Sequence, residues 1–243
     1  MARYLGQHFL NRGAVINRIL KSLRLGPHDR VLEIGPGRGA LTQPLAEKYA
    51  ATEKVSVVVG DFLELPWDEL VLKLGEPGYK IVSNLPYEVS TAILTKLLEQ
   101  AAPGTEMALM FQKEVADRVA SPTRRKDYGS LSVFCQLAAQ IRPLFDVPPG
   151  AFVPPPKVDS SVLHFRIREQ PLIAKPDWPD FEALIQSGFR QRRKMLRQNL
   201  RPYFSGESAE AVEARLEKVG ANRQARAEEL GVGEWVALWR LSH

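Results

Sequence analysis

The spacing of apolar and polar residues changes character along this chain. From Ala14 to Leu25 the residues Val15, Ile16, Ile19, Leu20 and Leu23 recur at helical spacing, which predicts an entry helix. Arg30 to Ile34 then reads as a short strand, followed by Gly35-Pro36-Gly37-Arg38-Gly39 and a helical stretch from Ala40 to about Tyr49. Val55 to Val59 reads as a second strand ending at Gly60-Asp61-Phe62, and the apolar run Ile81-Val82-Ser83 as a third. Ser90 is expected to cap a helix through Leu98, and Met107 to Phe111 to form a strand before a helix from Lys113 to Ala120. Strands alternating with helices predict an α/β fold with a parallel, doubly wound sheet.

The later pattern differs. The polar loop from Ser121 to Asp127 gives way to an apolar helix from Ser130 to Gln140. Ile141 to Val147, and a segment in which Leu163, Phe165 and Ile167 alternate with polar residues, read as antiparallel edge strands joined by the proline-rich stretch Pro148 to Lys157. Beyond the linker from Glu169 to Pro179 only helical periods remain: Phe181 to Arg190, a basic stretch, Ala209 to Val219 stopped by Gly220, and a short terminal helix. A boundary near Gln170 divides a sheet domain, 1–170, from a helical domain, 171–243.

Composition narrows the classes. With 243 residues, 44% apolar and 25% charged, the chain can bury a sizeable core. No apolar run reaches the length of a membrane span and no signal-type region follows the start, so a cytoplasmic protein is expected. The single cysteine, Cys135, lies in an apolar stretch and reads as a buried structural thiol; no cluster suggests a metal site. The net charge is +5, and between Phe189 and Arg201 Arg190, Arg192, Arg193, Lys194, Arg197 and Arg201 stand without an acid. Such a stripe is a footprint for phosphates, because each one neutralised releases counterions. Phe189, Met195, Leu196 and Leu200 also allow a solvated helix with one buried side.

Two motifs carry chemistry. Asn84-Leu85-Pro86-Tyr87 follows a predicted strand, at the end of the sheet where open α/β folds place ligands. Its amide, fixed proline and aromatic ring suit a flat, amine-bearing substrate, although Asn and Pro also make ordinary turns. The spelling matches the Asn-x-Pro-Tyr motif of methyltransferases that act on exocyclic amino groups. Glycines 35, 37 and 39 between a strand and a helix permit close backbone approach to a nucleotide-like ligand. Preceded by Glu33, they resemble an S-adenosylmethionine loop more than a dinucleotide loop.

Taken together, Gln7-His8-Phe9-Leu10, Glu33 to Thr42, Gly60-Asp61-Phe62, Asn84 to Tyr87, Gln112-Lys113-Glu114, Tyr128-Gly129-Ser130-Leu131, Pro148 to Val162 and Phe189 to Leu200 resemble the small-subunit ribosomal RNA adenine dimethyltransferases of the KsgA type. The resemblance spans nearly the whole chain. It implies a Rossmann-like class I methyltransferase sheet with a small C-terminal helical domain. The implied reaction is transfer of methyl groups from S-adenosylmethionine to N6 of two adjacent adenines in the 3'-terminal hairpin of 16S ribosomal RNA, by a monomer acting during ribosome biogenesis. Asn84, Leu85, Pro86, Tyr87 and Phe152 are then the catalytic and base-clamping residues. His8, Leu10, Glu33, Gly35, Gly37, Asp61, Phe62 and Asn84 would contact the cofactor, and Arg190, Arg192, Arg193, Lys194 and Arg197 the RNA. Without the resemblance, Phe152 beside its prolines reads as loop packing, Tyr87 as a core aromatic, and Arg124-Arg125-Lys126 equally as a flap on RNA or as solvated charge. Two alternatives stay open: a relative acting on large-subunit RNA, and an RNA-binding assembly factor without catalysis.

One departure from the family stands out. Spacing alone gives Asp61 the role of the acid that binds the cofactor ribose. The context Val57-Val58-Val59-Gly60-Asp61-Phe62 instead resembles the next strand of the family, whose Asp binds the adenine. On that alignment a strand–helix unit, with the ribose-binding acid, is missing between Tyr49 and Ala50, and the ribose site is incomplete.

Overall fold

A computed structural model describes residues 8–26, 28–49, 55–74 and 78–243. The junction of Tyr49 with Ala50 lies outside the described residues. In chain order the elements are β1 (Phe9–Leu10), α1 (Gly13–Ser22), β2 (Arg30–Glu33), α2 (Thr42–Tyr49), α3 (Trp67–Leu74), β3 (Tyr79–Asn84), α4 (Ser90–Gln100), β4 (Glu106–Gln112), α5 (Lys113–Ala120), α6 (Ser130–Ala138), β5 (Ala139–Val147), β6 (Phe152–Val153), β7 (Ser160–Ile167), α7 (Trp178–Phe189), α8 (Leu196–Leu200), α9 (Ala209–Lys218) and α10 (Val232–Arg240).

The main sheet has five strands in the order β2-β3-β4-β7-β5. β2, β3 and β4 run parallel, whereas β7 lies antiparallel between β4 and β5. Only β5 of the expected antiparallel pair is therefore an edge; β7 is internal, which suits a strand buried at nearly every position. β3 and β4 are likewise buried along most of their length, as central strands must be when both faces are covered. The small pair β1-β6 matches Leu10 with Phe152.

Val55 to Val59 does not form the expected strand. The segment has no ladder partner among the described residues and is exposed throughout, with Val57 74% and Val59 92% accessible. β-branched residues favour a pleated, half-buried surface, but a strand persists only beside a neighbour. The Gly60 turn that follows is fixed from α4: Lys96 Nζ donates to the carbonyls of Phe62, Leu63 and Leu65 at 2.8, 2.9 and 2.6 Å.

Ser90 does not cap α4. Its hydroxyl donates to the Tyr87 carbonyl at 2.9 Å rather than accepting from the helix, and it is itself the first helical residue. The helix from Ser130 stops at Ala138, where β5 begins.

Two compact units divide the chain: residues 1–116 with 139–169, and residues 117–138 with 170–243. The second division falls at Gln170; α6 and the loop before it belong with the helices. In the first unit, Val15, Ile19 and Leu20 of α1 pack with Leu10, Val82, Ala108, Met110, Phe152 and Val162 in one core. In the second, Cys135 is fully buried and burial pushes its thiol pKa up, as expected of a structural cysteine. Among the described residues no helix is long and apolar enough to cross a membrane.

Candidate active site

The C-terminal ends of β2 and β3 and the strand β1 border an open cleft within the first unit, about 670 Å³ with the solvent space at its mouth included. Its walls include His8, Leu10, Glu33, Gly35, Gly37 and Asn84 to Tyr87. The structure thus brings the glycine loop and the Asn84 tetrad, 47 positions apart between Gly37 and Asn84, to one place.

The loop after β2 is held from the neighbouring strand. The Ile34 N–H donates to the Val82 carbonyl at 3.2 Å, and the buried Ser83 hydroxyl donates to the Ile34 carbonyl at 2.7 Å. Gly37 has φ +55, and a Cβ there would stand 3.1 Å from the Phe9 ring. Left-handed backbone and close contact together require glycine. Arg38 lays its guanidinium over the same Phe9 ring at 4.5 Å. Glu33 accepts the Thr42 hydroxyl at 2.6 Å; burial raises its pKa, which the Thr42 bond opposes.

Around Asn84 the polar groups are ordered by use. Its Nδ2 donates to the His8 carbonyl at 3.0 Å, so the side-chain oxygen is turned away as an acceptor. The Leu85 N–H donates to the Met110 carbonyl at 3.2 Å, and the Pro86 carbonyl accepts from Val89 N–H at 3.2 Å. Of the two backbone carbonyls expected to receive an amino group, Pro86 is occupied, and Leu85 has no backbone partner among the described residues. The Tyr87 hydroxyl shares a hydrogen with Ser160 Oγ at 2.6 Å; burial raises its pKa against that bond. Its ring lies 5.5 Å from the His8 ring. His8 is held in turn by an Nδ1–H bond to the Pro154 carbonyl at 2.8 Å.

Three expected residues stand elsewhere. Phe152 is only 2% exposed and packs in the core of the first unit, the loop-packing role that its prolines allow. Asp61 and Phe62 do not line the cleft: Asp61 Oδ1 accepts the Leu63 N–H at 2.9 Å within its own turn, and Lys96 sits 5.2 Å from the Phe62 ring. Phe9, Arg38, Thr42 and Ser160 carry no role of their own in the sequence reading, although all four lie inside its motifs.

The basic stretch is not a single helix. α7 ends at Phe189, a turn follows, and α8 begins at Leu196. Acids distant in sequence do compensate it: Arg192 pairs with Glu228 at 3.2 Å and Arg197 with Glu213. Arg190, Arg193 and Lys194 are exposed. Among the described residues no cluster of His, Cys, Asp or Glu could hold a metal ion.

Comparison with known proteins accords with this arrangement. The chain is 39% identical over 254 aligned positions to "Ribosomal RNA small subunit methyltransferase A" of Syntrophotalea carbinolica, covering 97% of this chain and 94% of that one. The protein of the same name from Magnetococcus marinus is 39% identical over 253 positions, with 96% and 88% covered. A dimethyladenosine transferase structure from Plasmodium falciparum superimposes with a TM-score of 0.78 at 20% identity, covering 95% of this chain and 96% of that one, and supports the fold. The 23S rRNA methyltransferase ErmE follows at 0.66 and 24%, with 96% and 98% covered. The profile of one family matches residues 2–61 and 43–240, and the chain belongs to that family, the ribosomal RNA adenine dimethylases.

Proposed function

We propose that this protein transfers methyl groups from S-adenosylmethionine to N6 of two adjacent adenines in the 3'-terminal hairpin of small-subunit ribosomal RNA. The observation that carries this reading is the orientation of Asn84. With its Nδ2 committed to the His8 carbonyl, its oxygen and the Leu85 carbonyl are the two acceptors beside the glycine-loop cleft.

An adenine amino group is a weak nucleophile because its lone pair is delocalised into the ring. Two acceptors that take its hydrogens favour a pyramidal nitrogen whose lone pair points along one line. The work of the chain is therefore orientation, not proton abstraction by a strong base. Tyr87 offers an aromatic face to the base, which must leave its stack to reach the cleft. Gly35 and Gly37 give the backbone room for close approach, and Glu33, Leu10 and His8 complete the wall that would hold the cofactor. Bound there, S-adenosylmethionine supplies an electrophilic methyl on a sulfonium.

The fit is partial on the ribose side. Among the described residues Glu33 is the only acid in the cleft wall, since Asp61 lies in its own turn. The relatives align over more positions than the 243 residues of this chain, and the family profile matches it in two stretches that overlap. Both facts favour loss of a strand–helix unit after the glycine loop, and with it a weaker hold on the cofactor. Grafting the corresponding segment of the Syntrophotalea relative between Tyr49 and Ala50 should tighten S-adenosylmethionine binding by calorimetry; equal affinities would refute the loss.

The reaction itself is tested by labelled methyl transfer to small subunits lacking the modification. Incorporation into small but not large subunits, abolished in Asn84→Ala, is the expected result. Transfer to large subunits alone would overturn the proposal.

A further inference from the structure

We infer that the loop 121–127 and the turn 190–195 form one continuous surface for RNA phosphates, and that Arg192 is the clasp that joins them. The inference rests on the RNA-methylating reading above. Both segments lie in the second unit.

Arg192 is exposed along about half of its side chain, but one end of its guanidinium is tied to the protein. Its Nη2 donates to the carbonyls of Lys126 and Tyr128 at 2.7 and 3.3 Å and pairs with the Glu228 carboxylate at 3.2 Å. The same Glu228 accepts the Arg124 N–H on its backbone carbonyl at 2.8 Å, and the Tyr128 hydroxyl donates to the Leu230 carbonyl at 2.8 Å. Arg124 has φ +62, a left-handed conformation that a non-glycine residue keeps only where its surroundings hold it. On the other side, the buried Asn199 donates to the carbonyls of Gly188 and Gln191 at 2.7 and 3.0 Å, fixing the turn where it leaves α7.

Arg124, Arg125, Lys126, Arg190, Arg193 and Lys194 are exposed on the two segments so fastened, and no ion pair engages them among the described residues. Asp127 is the one exposed acid between them in the loop. Fixing cations in advance lowers the entropy lost when each meets a phosphate, and spacing them along two joined segments suits a charged backbone rather than a single ion. Arg197, paired with Glu213 and half-buried, is less available than these cations.

The test is the salt dependence of binding to unmethylated small subunits, measured from low to moderate KCl. Arg125→Ala with Lys126→Ala leaves the strained Arg124 and the carbonyls held by Arg192 in place; Arg193→Ala with Lys194→Ala is the companion pair. Each pair should lower the slope of log affinity against log salt by about 1.4 to 1.8, at roughly 0.7 to 0.9 per lost contact, and the two effects should add. Lys126→Arg should keep the slope. A reduced slope for the turn pair with an unchanged slope for the loop pair overturns the inference and leaves the RNA reading intact. Unchanged slopes for both overturn the two together.

Discussion

The side-chain amide of Asn84 and the main-chain carbonyl of His8, 76 residues apart, meet at 3.0 Å. Through that bond the strand β1 and the end of β3 share one wall, and the orientation of the amide is set by its donor end, with the oxygen turned away from His8.

Replacing Asn84 should therefore separate two roles. Asn84→Ala removes the acceptor and should cut kcat by about 100-fold or more, the scale seen when one preorganised polar group is lost from a reacting centre. Asn84→Asp keeps an acceptor but sets a carboxylate against the His8 carbonyl, and should raise KM for the cofactor as well. Equal effects on KM from both variants would contradict this division.

Gly37→Ala should weaken both fold and ligand binding. The left-handed backbone costs a side chain about 1–2 kcal/mol, and the new methyl would press on the Phe9 ring at 3.1 Å. Gly13→Ala, with nothing within 4 Å, is the control and should leave both unchanged or slightly improved. Thermal unfolding and cofactor calorimetry read the contrast.

Glu33 should make stability depend on pH. Its pKa is raised by burial, with the Thr42 hydroxyl opposing. An acid raised in the folded state contributes stability that is fully present below its unfolded pKa and is lost as pH rises through the folded one. Wild type should thus lose stability relative to Glu33→Gln as pH rises from roughly 4 to 7. Urea midpoints for both proteins across that range check the sign, and a flat difference would refute it.

Arg192→Ala should expose the loop to protease without any RNA present. Loss of its charge-assisted bonds, about 1.5–3 kcal/mol, should speed tryptic cleavage within Arg124-Arg125-Lys126 by roughly ten-fold or more where cleavage follows local opening. Arg193→Ala should cleave at the wild-type rate. Equal rates in the two variants would remove Arg192 from its place as a clasp.

Local chemistry made much of this protein legible in its sequence. The tetrad at Asn84 and the glycine loop were readable because each is a short segment whose residue types serve one geometry, and β3 and β4 because central strands are apolar on both faces. What failed needed partners that sequence does not display. Val55 to Val59 has strand composition but no neighbour to pair with. The stripe from Arg190 to Arg201 looked uncompensated because Glu213 and Glu228 come from other turns of the second unit. The burial of Phe152, whose backbone pairs with Leu10 across β1 and β6, was likewise not visible in its motif. The Pro86 carbonyl was as eligible as that of Leu85 until the turn to Val89 was seen to occupy it.

Ile34 and Ser83 have a wider consequence. Because the start of the glycine loop is moored to β3, on the inland side of β2, these anchors do not depend on what lies beyond β2. Evolution can trim or rebuild the outer bank of the cleft without disturbing the methyl-accepting bank. The two sides of the cleft are thus fastened separately, so a change beyond β2 should leave the bond between Asn84 and His8 in place.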